Sequence, residues 1–517
     1  MKHRFFFYFE QMLSKSAVII VLFFYQLMTW SMTESFSPQE AYKQLVEFVK
    51  SPDKPKGIPF SERIPSPKCL NDRIAIVGAG PSGIHMAYLL KKKGFQNVVV
   101  FEKNEGIGEN SCTVMLRDTL PDMNTCYVQP DVGNNVIELA RKFGLLESAK
   151  LSFFNAPLDQ LSTSVNYSSY TLTEAMKLND PKIAVQKLFA AITDYIHLHR
   201  ELFGKYDGAL MRKPPPKVMK ILNCTFLEFI EKYGLTLLKP LLVMSKTGGY
   251  GYVDDVSALY GLMWNTPNRL IGCAAGIFEK KASSYPIESG LQKLWETLKT
   301  SQKIDVRFTV KISQIVRRND KVLIKFSTSK KWEEFDFLIW TSSLFSNLHL
   351  IEARELDKRI FSKSTLPWST IMLDESLHGH LDDEASNIWL TATEKKHEPT
   401  CEDGSRSGGT DGSCTRSGTT NQHIKEKTDE PTLSEIFQKH FTGMNASEIE
   451  EIQRKMCTHF LRFSPQDMAA GILWDIFDIQ GTKRTWFAGS SVVLDSAQSV
   501  LEYNIQLVSK MTESFYC

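Results

Sequence analysis

RIAIVGAGPSGIHMAYLLKKKGFQNVVVFEK, residues Arg73 to Lys103, decides the reading of this chain. Ile74, Ala75, Ile76 and Val77 form an unbroken apolar run of strand length. Gly78-Ala79-Gly80-Pro81-Ser82-Gly83 follows as a GxGxxG turn, Ile84 to Lys93 supplies a helical pattern, and Val98 to Phe101 reads as a second strand ending on Glu102. Gly78 permits the tight turn, Gly80 lets a pyrophosphate approach the backbone, and Gly83 lets helix and strand pack closely. A diphosphate held there would meet free N–H groups at the positive end of the helix. Glu102 stands 19 residues after Gly83, where its carboxylate can accept hydrogen bonds from both ribose hydroxyls of an adenosine. A strand before the glycines, a helix after them and an acid at the end of the next strand together predict a Rossmann-like dinucleotide site. Pro81, Ser82 and Lys103 complete its first candidate set.

The chain has 517 residues, 42% of them apolar, more than one ordinary core accommodates, so two intertwined domains are expected. A net charge of only +2 argues against a nucleic-acid surface. Lys2, His3 and Arg4 precede an apolar patch, and SAVIIVLFFYQLMTW, residues 16–30, carries no charge. This reads as a signal-peptide core, with Thr29 and Ser31 as small residues before a cleavage point, or as an uncleaved signal anchor. Either way the secretory pathway is expected, the product secreted or membrane-anchored. Sequons at Asn166, Asn223 and Asn445 suit a glycoprotein. The nine cysteines include no CxxC pair, so no metal site is expected, and an odd count leaves at least one thiol unpaired or intermolecular.

PQEAYKQLVEFVK and a Pro/Lys-rich connector fill residues 32–70. NNVIELARKFGLL, PKIAVQKLFAAITDYIHLHRELF and FLEFIEKYGLTLLKPLL have helical spacing, as does IESGLQKLWETLKT. DVRFTVKISQIVRR, KVLIKFS and FDFLIWTS read as successive strands. Residues 395–431, rich in Gly, Ser, Thr and charge, read as a disordered insertion. TKRTWFAGSSVVLDSAQSVLEYNIQLVSK reads as a strand, a glycine turn and a helix.

GIGENSCT, soon after Glu102, and TWFAGSS, near the C-terminus, resemble motifs of the flavin-containing amine oxidase superfamily, and the likeness covers most of 71–517. It implies an α/β fold, with a Rossmann-like FAD-binding domain from 71–155, 275–345 and 480–517. A mixed helical and sheet substrate domain from 156–274 and 346–479 is interleaved with it, behind a signal segment at 1–31. In that family the second motif wraps the diphosphate and ribitol. Here Gly108 and Ser111 match it, while Glu109 replaces the second glycine and Asn110 the usual basic residue. Val310 matches the segment whose backbone contacts adenine, and Gly489 the turn approaching the flavin. Ser490 stands where the family has an acid. No cysteine occupies the segment after Gly489, which implies non-covalent FAD.

FLEFIEKYGL, GGYGYVDDVSALYGL and RTWFAGSSVVLDSAQSVLEYNIQLV resemble, more narrowly, the polyunsaturated fatty acid double-bond isomerases of the same superfamily. The resemblance implies an FAD-dependent oxidoreductase of the amine oxidase type that passes a hydride from an apolar or amphipathic substrate to flavin N5. The substrate would be a small molecule, an amine or an unsaturated fatty acid. Membrane association is expected only where the N-terminal segment is read as an uncleaved anchor. The alternatives are an FAD-dependent polyunsaturated fatty acid isomerase, and a flavin-free binding protein marked by Glu109, Asn110 and Ser490. No catalytic residue is assigned. Tyr250, Tyr252, Tyr260, Trp474 and Phe477 are the pocket candidates, each set against ordinary core packing.

Overall fold

Five short apolar runs, far apart in sequence, meet in one parallel sheet in the computed structural model. They are β1 (Ile74–Val77), β2 (Val98–Phe101), β3 (Asp305–Arg307), β4 (Phe337–Trp340) and β5 (Thr485–Phe487). Their spatial order is β5-β4-β1-β2-β3, with every neighbouring pair parallel. The structure describes residues 37–49, 65–108, 111–113, 134–146, 152–156, 163–166, 175–177, 180–204, 212–243, 255–278, 287, 290–352, 355–363, 368–376, 386–387, 406–410, 416–424, 449–458 and 462–513. The N-terminal segment 1–31 lies outside them. β1 is central and buried along its whole length, which is why it reads as continuous Ile-Ala-Ile-Val and not as an alternating strand.

The helices used below are α1 (Pro38–Val49), α2 (Pro81–Lys92), α3 (Asn135–Lys142), α4 (Pro181–Phe203), α5 (Phe226–Lys232), α6 (Ala258–Trp264), α7 (Pro267–Phe278), α8 (Leu291–Ser301), α9 (Ile472–Asp478) and α10 (Ala497–Thr512). α2 packs against α8 and α10, and α10 also reaches α3. Trp340, Trp486 and Trp295 are fully buried, and Trp486 stacks on Phe337 with ring centroids 4.8 Å apart. Aromatic rings of this size contribute roughly 2–3 kcal/mol each through buried area, so they dominate the core beside the sheet.

A second region is helical. On α4, the Tyr195 hydroxyl donates to the Asn265 carbonyl (2.6 Å), and His199 Nε2 donates to the Leu262 carbonyl (3.1 Å). α5 and α6 approach closely at Gly261, where a Cβ would lie 2.3 Å from the Phe226 ring. The continuous helix suggested by FLEFIEKYGLTLLKPLL is broken. Gly234, at φ +68°, ends α5, and the Leu235 N–H turns back to the Ile230 carbonyl (2.9 Å). α1 packs on α7 and α4. Tyr42 donates to the Ile271 carbonyl (3.0 Å), and Arg200 donates to the Phe48 carbonyl at the end of α1 (2.8 Å).

Two further expectations need correction. DVRFTVKISQIVRR is two strands in two sheets. β3 joins the parallel sheet, while Ile312–Arg317 pairs with Val322–Phe326, and that with Trp332–Phe335, in an antiparallel meander. The chain turns between them at Thr309, whose φ of +55° breaks the extended path. Residues 395–431, expected to be disordered, contribute the strands Arg406–Thr410 and Arg416–Ile424. These join Trp368–Ser376 and Ile449–Thr458 in a four-stranded antiparallel sheet, where cross-strand backbone hydrogen bonding supplies the order that apolar content does not.

His85 in α2 and His199 in α4 are both buried, and the Nδ1 of each finds no hydrogen-bond partner among the described residues. Burial, then the positive charge of Lys92, lowers the His85 pKa to about 3. Burial also lowers that of His199, to about 4, with Arg200 adding to the effect against the opposing Leu262 hydrogen bond. Both rings are neutral in the native state, whereas in the unfolded chain they take up protons below the ordinary 6.5. Their contribution is therefore present above pH 6.5 and lost as pH falls toward 4 and 3. Two such groups give a slope of up to about 2.7 kcal/mol per pH unit. Urea unfolding between pH 7.5 and 4.5 should show stability falling steeply, and His85→Leu should flatten that dependence.

Candidate functional site

The carboxyl ends of β1, β2, β4 and β5 meet around the glycine turn. β1 ends at Gly78, whose φ of +105° reverses the chain and whose N–H donates to the Phe101 carbonyl (2.8 Å). Thr341, directly after β4, donates its hydroxyl to the Val77 carbonyl (2.8 Å). A Cβ on Gly78 would lie 2.9 Å from that hydroxyl oxygen, and a Cβ on Gly83 would lie 1.9 Å from the Gly78 carbonyl oxygen. The first and third glycines are thus required by packing.

Gly80 is different. Among the described residues nothing lies within 4 Å of the Cβ it would carry, and its φ of −72° suits any residue. The space before it is open. The N–H groups of Gly80, Ser82 and Gly83 have no acceptor among the described residues, and they lie at the N-terminal end of the twelve-residue α2. An open floor, unpaired donors and the helix dipole together suit a diphosphate.

Glu102 stands beside this floor, almost fully buried. Its Oε2 accepts from the Ala79 N–H (2.8 Å) and its Oε1 from the Asn104 N–H (2.9 Å). A carboxylate offers about four acceptor positions, so one on each oxygen remains for a ribose hydroxyl. The backbone of Glu102 ties in β3 and the turn after it: its N–H donates to the Arg307 carbonyl, and its own carbonyl accepts from the Val310 N–H (both 2.9 Å). The Val310 amide is spent there. Lys103 is exposed.

The second motif closes on the first. Gly108, at φ +116°, donates its N–H to the Ala79 carbonyl (3.2 Å), and buried Ser111 donates to the Gly108 carbonyl (2.7 Å). Thr113 and Gln292 exchange backbone-to-side-chain hydrogen bonds, which dock this segment on the first turn of α8 (2.9 and 3.3 Å). From the other side comes Gly489, at φ +86°. A Cβ there would lie 2.7 Å from the Thr341 carbonyl oxygen and 3.5 Å from the Ser82 Cβ. Half-buried Ser490 follows it. Gly78, Gly80, Pro81, Ser82, Gly83, Glu102, Gly108, Ser111 and Gly489 therefore converge from four chain segments, with Ser490 and Val310 one residue or one hydrogen bond away. Glu109 and Asn110 lie outside the described residues.

Tyr250 and Tyr252 lie outside the described residues. Tyr260, in α6, is buried, and its hydroxyl accepts from the Phe463 N–H (3.3 Å). Burial pushes its phenol pKa upward. Trp474 and Phe477 are buried in α9, and the Phe477 ring lies 6.2 Å from that of Tyr503 in α10. Tyr260 and Phe477 thus have packing contacts that account for their burial. Asp255 pairs with Arg462 (2.7 Å), and Ser257 caps α6.

Two residues at the site escaped the sequence reading. Thr341 lies at the end of FDFLIWTS, where a small hydroxyl residue closing an apolar strand was a usable signal. Asn504 is fully buried in α10, and its amide donates to the Ser82 carbonyl (2.9 Å). Its signal was an asparagine in the apolar stripe of Val500, Leu501, Leu507, Val508 and Met511.

Comparison with known proteins agrees with this geometry. An NAD(P)-binding Rossmann-like domain model matches residues 76–139. A polyenoic fatty acid isomerase of Ptilota filicina is 24% identical over 268 residues, 48% of this chain and 51% of that protein. An FAD-dependent oxidoreductase of Colletotrichum higginsianum is 27% identical over 197 residues, 37% of this chain and 38% of that protein. The chain thus spans about half the length, or less, of these curated relatives. Among solved structures, a fatty acid isomerase from P. acnes that produces CLA superposes with a TM-score of 0.70 at 21% identity, covering 86% of this chain and 99% of that one. A putrescine oxidase variant superposes with a TM-score of 0.64 at 12% identity, with the same coverage. The chain has the fold of the FAD-dependent amine oxidase type, which the fatty acid isomerase shares.

Proposed function

We propose that this chain is an FAD-dependent oxidoreductase of the amine oxidase type that takes a hydride from an apolar or amphipathic small molecule. The observation that carries the reading is the open floor at Gly80, with three N–H groups that have no acceptor among the described residues, beside a buried carboxylate that keeps acceptor capacity. The N–H groups of Ser82 and Gly83 would hold the diphosphate, and Glu102 the adenosine ribose. Gly108 and Gly489 would bring backbone close on either side without side-chain bulk. Bound FAD supplies a hydride acceptor at flavin N5. The protein's part is to orient the dinucleotide and keep water from the reacting centre. Attachment is non-covalent in this reading, because Gly489-Ser490-Ser491 offers no thiol. Segments 71–155, 275–345 and 480–517 would form the cofactor side, and 156–274 and 346–479 the substrate side. Entry into the secretory pathway rests on the uncharged run 16–30. N-terminal sequencing of the secreted or membrane-bound product tests it.

A second reading, double-bond isomerisation of a polyunsaturated fatty acid, is favoured by the relative from Ptilota filicina and by a TM-score for the P. acnes isomerase above that of putrescine oxidase. Purified protein should be yellow, or become so with FAD. With amines and polyunsaturated acids screened anaerobically, a substrate that is net oxidised should bleach the flavin band, whereas an isomerised one gets its hydride back and leaves the band oxidised at the end of turnover. Oxygen uptake without double-bond migration supports net oxidation, and migration without oxygen uptake supports isomerisation. Colourless protein that takes up no FAD overturns both and favours the flavin-free binding protein.

A further inference from the structure

Three polar side chains of α10 bind neighbouring segments, two of which lead into the candidate cradle. Gln498 Oε1 accepts from the Asn135 N–H at the start of α3 (2.6 Å), the Tyr503 hydroxyl donates to the Phe487 carbonyl (3.2 Å), and Asn504 Nδ2 donates to the Ser82 carbonyl (2.9 Å). Tyr503 and Asn504 are adjacent and fully buried. Gln480 completes the Tyr503 contact: its Oε1 accepts from the Phe487 N–H (2.8 Å), and its Nε2 donates to the Phe487 carbonyl and the Tyr503 hydroxyl (both 2.9 Å). One helix therefore grips β5 two residues before Gly489 and, with its next residue, the first turn of α2.

Apolar packing explains the neighbours of Asn504 but not the asparagine, since a buried amide is costly unless it makes specific hydrogen bonds. Asn504 makes two bonds to Ser82, accepting at Oδ1 from the Ser82 hydroxyl (3.4 Å) and donating from Nδ2 to the Ser82 carbonyl, and the second is informative. The Ser82 carbonyl and the Gly83 N–H belong to one rigid peptide plane. Holding the oxygen fixes the direction of the N–H, and a hydrogen bond accepted at the carbonyl strengthens the donor on the other side of the same plane. That N–H is one of the three unpaired donors at the cradle.

We propose that Asn504 is a positioning residue for the cofactor, holding the Ser82–Gly83 peptide so that the Gly83 N–H faces the diphosphate. This rests on the FAD reading above. It is tested by measuring FAD affinity of the apoprotein by flavin fluorescence, beside the urea midpoint of the same apoprotein, for wild type, Asn504→Leu and Asn504→Asp. The aspartate variant keeps the side-chain shape if leucine prevents folding. Leucine should weaken FAD binding about tenfold, measured well below the apoprotein midpoint. Aspartate, which loses the donor and adds negative charge near the diphosphate, should weaken it more, and the flavin circular dichroism should change in both. A purely structural role would lower the urea midpoint and leave FAD affinity within twofold of wild type, which overturns the proposal. Wild type that binds no FAD overturns the parent reading and this one with it. Wild type that binds beside variants that bind equally well overturns this one alone.

Discussion

Gly83→Ala should fail to give a stable folded protein, whereas Gly80→Ala should fold normally and fail to hold FAD. The two glycines are three residues apart in one motif, yet their surroundings are opposite. An alanine Cβ at Gly83 would lie 1.9 Å from the Gly78 carbonyl oxygen and 3.1 Å from the Thr341 hydroxyl oxygen. The obstacle is backbone in the tight turn after β1, so α2 would have to move away from the sheet. A cost of about 3 kcal/mol or more is expected, as for severe overpacking. At Gly80 an alanine meets nothing and adopts the existing φ of −72° without strain. Its methyl instead occupies the space through which a diphosphate approaches the backbone. The urea midpoint of the Gly80→Ala apoprotein should match wild type, and its FAD affinity should fall by about a hundredfold. Equal FAD affinity in Gly80→Ala and wild type would place the nucleotide elsewhere.

Glu102→Leu should damage both stability and cofactor binding, by separable amounts. The carboxylate accepts from two backbone N–H groups, at Ala79 and Asn104, from an almost fully buried position. Leucine leaves both donors without that acceptor. Because the Ala79 N–H is buried and Asn104 is exposed, a loss of about 2–4 kcal/mol is expected. Glu102→Gln keeps the shape and one acceptor but turns an NH2 toward one of the two donors, so an intermediate loss is expected. FAD affinity should drop in both variants beyond what the fraction of folded protein explains, since the ribose loses its acceptors. Calorimetric titration of the folded fraction, beside urea unfolding, separates the two effects. A glutamine variant that matches wild type in both would remove Glu102 from the site.

How much of this was legible beforehand varied with the range of the interactions. The glycine turn, its flanking strands and Glu102 lie within 31 residues, and their roles follow from local geometry. The helices at 38–49, 135–142, 181–203, 291–301 and 497–512 announce themselves through apolar spacing and are found where that spacing puts them. Strand partners at 395–431 were hidden because a Gly/Ser/Thr segment gains its order from cross-strand pairing and not from its own apolar content. The split of DVRFTVKISQIVRR was hidden because the turn at Thr309 depends on the Val310 N–H finding the Glu102 carbonyl, more than 200 residues away in sequence.

Sequence alone determined that this chain carries a dinucleotide turn, which acid accompanies it, and that the runs at 38–49, 135–142, 181–203, 291–301 and 497–512 are helices, since each depends on neighbours a few residues apart. Tertiary structure alone decided that Thr341 occupies the space beside Gly78 and Gly83, and that Gly489 meets Ser82. It also decided that Asn504 holds the peptide between Ser82 and Gly83. Those contacts join residues from about 260 to more than 420 positions apart, and only the packing of the parallel sheet and its helices selects which of many distant polar groups arrive together.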